Sequence, residues 1–132
     1  MLVIHSIKGA GDIDQERVLF MVSEDCDLGV NIVALSRRIN ESSFSSNIKS
    51  LYWFPDKEVK KGDLVVLYTK SGESNSIINN NGKKTHFFYW GLSEPISVNK
   101  DTCVVLLTAK WRTMDIPLEG GCNEDLDRNE GK

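Results

Sequence analysis

Two aromatic and aliphatic runs between Leu51 and Trp111 constrain the fold of this chain more than any other feature of its sequence. The first run reads LYWFPDKEVKKGDLVVLYT and the second reads HFFYWGLSEPISVNKDTCVVLLTAKW, with an Asn-, Gly- and Ser-rich segment between them. Short apolar runs bounded by polar turns are typical of β-strands. The turns are too frequent for a long amphipathic helix, so we expect an all-β fold of two packed sheets.

The same pattern extends over most of the chain and predicts about seven to nine strands. Pro55 should end one of them, because proline cannot donate to a strand ladder. We expect residues 71–84 to form a loop, with a tight positive-φ turn at Asn81-Gly82. The predicted strands cover residues 2–7, 17–23, 30–35, 37–40, 51–54, 64–68, 86–92 and 102–107.

Length and charge indicate one domain followed by an acidic tail. The chain has 132 residues, 40% of them hydrophobic and 27% charged, which is enough to bury a core. We assign residues 1–118 to a single domain and predict that residues 119–132 are disordered. That tail holds five acids and two bases, so it accounts for the whole net charge of −3. The balanced domain makes nucleic-acid binding possible but not favoured.

The sequence also predicts where the protein resides. It lacks an apolar stretch long enough for a spanning helix, and its first residues lack the basic region of a signal peptide. Three cysteines at wide spacing, Cys26, Cys103 and Cys122, indicate reduced thiols rather than a disulfide framework. We therefore expect a cytoplasmic protein with no membrane contact.

The central residues resemble a known family. The run WFPDKEVKKGDLVVL resembles the turn and following apolar strand of the lamin-tail domain, and FYWGL followed by NKDTCVVLL resembles that family's next strands. The likeness covers roughly residues 2–111. Lys57 and Lys61 replace a glycine and a proline of the family's turn. The resemblance implies a stand-alone, immunoglobulin-like β-sandwich that serves as a binding or anchoring module, and it transfers no catalytic residue.

An enzyme would have to be built without a recognisable motif. His5 and His86 are the two histidines, and neither lies in a nucleophile, phosphate-loop, dinucleotide or zinc signature. The acidic turn at residues 24–29 lacks the ligand spacing of a calcium loop. We predict no catalytic residue, no metal site and no cofactor. A hydrolase remains an alternative, which would require a pocket that holds a histidine and a carboxylate with perturbed ionisation.

Aromatic density supplies the main functional prediction. Alternation along a strand sends Phe87 and Tyr89 to one face and Phe88 and Trp90 to the other, so one pair could form a contact surface. We expect a protein-interaction module that uses an aromatic sheet face or an open sheet edge, to bind another protein or a second copy. The alternative is small-ligand or nucleic-acid binding through the loop at 71–86. The predicted binding residues are Tyr52, Trp53, Lys83, Lys84, His86, Phe88 and Trp90.

Overall fold

The computed structural model of the chain describes residues 1–98, 101–109 and 113–117. These residues form eleven strands and two short 3₁₀ turns. The strands are β1 (Leu2–Lys8), β2 (Arg17–Val22), β3 (Cys26–Asp27), β4 (Asn31–Asn40), β5 (Ser43–Phe44), β6 (Ser50–Trp53), β7 (Glu58–Val59), β8 (Leu64–Tyr68), β9 (Asn75–Ile78), β10 (Lys84–Tyr89) and β11 (Thr102–Thr108). The 3₁₀ turns are Leu28–Val30 and Ile96–Val98.

The longer strands form two sheets. A five-stranded sheet has the order β1-β2-β8-β10-β9, and a second sheet pairs β4 with β11, β5 and β6. Strands β8 and β10 run parallel, whereas the other pairs are antiparallel. A parallel pair needs a crossover connection. Residues 69–83 make that connection and contain β9, which forms a hairpin with β10 and becomes the sheet edge.

The hydrophobic core lies between the two sheets and is rich in aromatic rings. Phe54 stands at its centre, with edge-to-face contacts to Phe20 and Phe88 at centroid distances of 5.7 and 5.2 Å. Tyr52 packs on Phe54 at 5.2 Å, and Trp90 packs on Tyr52 at 6.1 Å. The remaining core is aliphatic and comes from both sheets, with Val18, Val65 and Leu67 on one side and Val33 and Leu35 on the other.

The expectation of an all-β fold with packed sheets is confirmed. Eight of the eleven strands have four residues or more, and the other three are two-residue pairings. One detail of the prediction is wrong and another is incomplete. Residues 71–84 contain a strand, Asn75–Ile78, because β10 offers that polar segment a ladder partner. The expected short strand at 37–40 is the second half of β4, which continues without a break to Asn40.

Other predictions fall partly outside the described residues. Trp111, Cys122 and the acidic tail at 119–132 all do so. Cys26 and Cys103 are described, and both are free thiols. Within the described ranges, the fold includes no helix of the length and apolarity that crossing a membrane requires.

Glu16 is a fully buried carboxylate that ties three parts of the fold together. Its Oε1 accepts hydrogen bonds from the Thr69 hydroxyl at 2.7 Å and the Ile96 N–H at 2.7 Å. Its Oε2 accepts from the N–H groups of Gly11 at 3.0 Å and Ser97 at 3.2 Å. Burial alone would raise the pKa of Glu16, but these four hydrogen bonds lower it. The turn before β2, the end of β8 and the second 3₁₀ turn therefore share one ionised group.

Candidate functional site

The five-stranded sheet turns an unusually apolar face away from the core. The strand registers place Met21 beside Leu64 and Leu19 beside Val66 on this outer face. A hollow of about 150 Å³ lies among these side chains. Four strands each contribute an outward apolar residue that exposes between 41% and 52% of its surface. These residues are Val3, Met21, Leu64 and Ile77. A half-solvated sheet ordinarily carries polar residues at its outward positions, whereas β2 and β8 carry Leu19, Met21, Leu64 and Val66 there.

Three aromatic rings continue the outer face across β8 and β10. Tyr68 stacks on Tyr89 at a centroid distance of 5.3 Å and on Phe87 at 6.5 Å. Arg17 and Lys70 place their cationic groups 6.0 and 5.2 Å from the Tyr68 ring centre. Cation–π contacts of this kind hold the two positive charges beside the apolar surface. The outer face therefore combines exposed aliphatic residues, stacked aromatic rings and basic groups.

The aromatic residues predicted to bind lie in different environments. Phe88 is buried in the core, and Tyr52 and Trp90 are half-buried against it. Burial raises the pKa of Tyr52. Trp53 is 50% exposed on the second sheet, and its indole N–H donates to the Gly29 carbonyl at 2.7 Å. The outward pair of β10 is therefore Phe87 and Tyr89, which point away from Phe88 and Trp90 as alternation requires.

The other predicted binding residues, Lys83, Lys84 and His86, meet at a recess on the opposite side of the same sheet. The recess has a volume of about 310 Å³ and lies at the edge formed by β9. Lys57 and Lys60 also line it, so two lysine clusters that are separate in sequence share one site. All four lysines are exposed, whereas His86 is buried.

Ser76, His86 and Asp63 form a hydrogen-bonded group at this recess, which we call the Ser76 triad. The His86 Nε2 lies 3.0 Å from Oδ2 of Asp63, and the His86 Nδ1 lies 2.8 Å from the Ser76 Oγ. The Lys57 ammonium donates to the same Ser76 Oγ at 3.0 Å. His86 and Asp63 are buried and Ser76 is exposed, so the hydroxyl end of the triad faces the recess.

Two turns position the triad. Gly62, at a φ of 93°, makes the turn before β8, a conformation that favours glycine. It lets the Asp63 carboxylate accept the N–H groups of Lys60 and Lys84, both at 3.1 Å. The Asn81-Gly82 turn closes the β9–β10 hairpin, and Gly82 has the predicted positive φ, 83°. The hairpin register then sets Ser76 directly beside His86.

The hydrogen bonds of Asp63 select the tautomer that a neutral His86 takes. Burial alone would raise the pKa of Asp63, but the His86 hydrogen bond and the two backbone N–H groups lower it. An ionised carboxylate only accepts, so the His86 Nε2 carries a hydrogen and donates to Asp63. In the neutral imidazole the Nδ1 is then an acceptor, and the Ser76 hydroxyl donates to it.

The lowered pKa values of the buried Glu16 and Asp63 carboxyl groups predict acid sensitivity. A carboxylate whose pKa is lower in the folded state stabilises the protein above its ordinary pKa, and this contribution is lost as the pH falls through the folded-state value. The ordinary values are 4.5 for Glu16 and 3.8 for Asp63. We expect the melting temperature to fall progressively below about pH 4.5. Calorimetric scans of wild type and Glu16→Gln at several pH values check this. The melting temperature of the variant should fall less steeply with decreasing pH than that of wild type, and equal slopes of melting temperature against pH would contradict the prediction.

Sequence reasoning did not single out Ser76 or Asp63. Ser76 lies in a segment that looks like a loop, and Asp63 looks like an ordinary turn residue of the KKGD sequence. The structure brings His86 into one recess with a carboxylate, Asp63, whose pKa is lowered, and neither the recess nor this pairing can be read from the sequence. Among the residues that the structure covers, no group of three or more His, Cys, Asp or Glu could hold a metal ion.

Fold and sites define an all-β protein with an apolar sheet face and a separate polar recess. No protein-family model matches this chain, and no curated protein matches it either.

Proposed function

We propose that the protein is an interaction module that binds another protein through the outer face of its five-stranded sheet. The observation that carries the proposal is the set of exposed aliphatic residues on that face, continued by the stacked rings of Tyr68, Phe87 and Tyr89. A contiguous apolar patch on a folded domain is characteristic of a contact surface. Tyrosine and arginine beside it are residue types that dominate binding energy.

Charge identifies the chemistry of the partner. The charged residues at outward positions of these five strands are Lys8 and Arg17, both basic, and Lys70 adds a third positive group over Tyr68. Opposite charges across an interface favour association and suppress wrong partners. The partner is therefore a protein surface with an apolar centre and carboxylates placed opposite Arg17 and Lys70. A second copy fits less well, since two copies of this face would oppose like charges.

A charge at the centre of the outer face is expected to abolish most of the binding. A photo-crosslinking amino acid at position 64, introduced in the native host, identifies the partner that covers this face. The purified partner is then titrated with Met21→Glu. Loss of a central apolar contact costs about 2 kcal/mol, so affinity should fall roughly 30-fold. Arg17→Gln should weaken binding less and reduce its dependence on salt.

Ile39→Glu is the matched control, because Ile39 is equally apolar, 62% exposed and located on the other sheet. It should leave the affinity unchanged. Equal affinities for wild type and Met21→Glu would contradict the proposal. Concentration-dependent self-association that Met21→Glu removes would instead assign the face to a second copy, and sedimentation velocity distinguishes that case.

Membership of the lamin-tail family, the immunoglobulin-like strand arrangement and the cytoplasmic location stay predictions. They agree with a binding or anchoring module, but the proposal rests on the outer face alone. The absence of enzymatic activity also stays a prediction, and the recess on the other side of the sheet is a reason to test it.

A further inference from the structure

His86 differs from an ordinary buried histidine in that one of its hydrogen-bond partners, the Ser76 hydroxyl, faces a recess. A histidine with purely structural hydrogen bonds needs a partner on each nitrogen, and Asp63 and Ser76 satisfy that need. Here, however, one partner is an exposed hydroxyl that faces a recess of about 310 Å³, and a cation lies 3.0 Å from its oxygen. A buried carboxylate, an oriented imidazole and an exposed hydroxyl are the parts of an activated nucleophile.

We propose that Ser76 is a nucleophile, with His86 as its general base and Asp63 as the group that orients the imidazole, and that the recess hydrolyses carboxylic esters bearing a negative charge. In a neutral His86 with its hydrogen on Nε2, the donor directions within the triad are those this chemistry requires. Asp63 holds the hydrogen on Nε2, which leaves Nδ1 free to accept the hydroxyl proton. The inference does not depend on the outer face, which lies on the other side of the sheet.

The reaction balances without a cofactor. The Ser76 Oγ forms a bond to the acyl carbon while its proton passes to the His86 Nδ1. The ester C–O bond then breaks, and the leaving alcohol takes that proton. Water repeats the sequence on the acyl-serine, giving the carboxylic acid and restoring the hydroxyl. The Lys57 ammonium, already beside Oγ, is the donor within reach of the oxyanion that develops on the acyl carbonyl.

The lining of the recess selects the substrate class. Lys57, Lys60, Lys83 and Lys84 line it together with Glu58 and Asp63, which gives an excess of positive charge. Lys60 is partly engaged by Asp25 at 3.8 Å, whereas Lys84 has an exposed side chain at the start of β10. A carboxylate on the ester is therefore favoured over a neutral ester of the same size.

Covalent labelling tests the nucleophile directly. The full chain is treated with a fluorophosphonate probe, and the modified residue is located by peptide mass spectrometry. We expect one adduct, on Ser76. Ser76→Ala should carry no adduct, and labelling of His86→Gln should be slower by about 100-fold, the scale of general-base assistance. Ser74→Ala is the matched control, because Ser74 is an exposed serine two residues away, and it should label like wild type.

Ester turnover provides the second measurement, which still applies if His86→Gln fails to fold. Mono-4-nitrophenyl succinate should be hydrolysed with a higher kcat/KM than 4-nitrophenyl acetate, and Ser76→Ala should lose about 100-fold of that activity. Lys84→Gln should reduce the preference for the anionic ester without abolishing acetate hydrolysis. Failure to recover a Ser76 adduct, or turnover by Ser76→Ala equal to that of wild type, overturns the proposal.

Discussion

Glu16→Gln is expected to lower the free energy of unfolding by about 3 kcal/mol, since it turns one acceptor into a donor at a fully buried site. Each oxygen of Glu16 accepts two hydrogen bonds, and three of the four donors are backbone N–H groups that cannot accept, so the amide NH₂ group of glutamine would leave at least one of them unsatisfied. Each unsatisfied buried donor costs about 1–3 kcal/mol. Urea denaturation followed by tryptophan fluorescence measures the change.

Glu41→Gln is the matched control, because Glu41 is an exposed glutamate in the turn after β4. It should change the stability by less than about 0.5 kcal/mol. If the urea midpoint of Glu16→Gln equals that of Glu41→Gln, the four hydrogen bonds of Glu16 make no net contribution to the free energy of unfolding.

Alanine substitution of the adjacent residues Phe88 and Phe87 should give very different losses of stability. Phe88 is 2% exposed and packs edge-to-face on Phe54, so Phe88→Ala should cost about 3–5 kcal/mol through lost burial and a new cavity. Phe87 is half-buried on the outer face and stacks on Tyr68, so Phe87→Ala should cost about 1 kcal/mol. Thermal and urea unfolding of the two variants give the comparison.

The Phe87→Ala and Phe88→Ala variants also distinguish an effect on stability from an effect on binding. Phe87→Ala should weaken the interaction proposed for the outer face although its fold is nearly as stable as wild type. Equal destabilisation by the two substitutions would contradict the assignment of Phe87 to the outside and Phe88 to the core.

The strands that sequence predicts best are those with a strong local pattern. Residues 2–7, 17–23 and 64–68 are continuous or alternating apolar runs, and β1, β2 and β8 follow them closely. Strand β9 was missed because Asn, Ser and Gly around it favour turns, and its pairing depends on the distant β10. The parallel pairing of β8 with β10 was not foreseen either, because pairing is a long-range property.

The functional surfaces were predictable only in part. Alternation correctly separates Phe87 and Tyr89 from Phe88 and Trp90, but it does not say which pair faces the core. That choice depends on the second sheet, whose Phe54 meets Phe88. The three residues of the Ser76 triad lie in three different elements, so their spacing in the sequence does not predict that they meet. In the sequence, Glu16 resembles any polar residue before a strand. Its burial and its hydrogen bonds depend on Thr69 and Ile96, which are distant in sequence and donate to its carboxylate in the fold.

We expect the parallel pairing of β8 and β10 to order events during folding. Ser76 and His86 are ten residues apart in one hairpin, which can form early because it closes a short loop. Asp63 reaches His86 only after β8 has docked beside β10, a contact across 23 residues. A chain that stalls with the hairpin alone would hold the serine and the histidine without the orienting carboxylate. The complete triad is thus assembled only once β8, β10 and β9 are paired side by side.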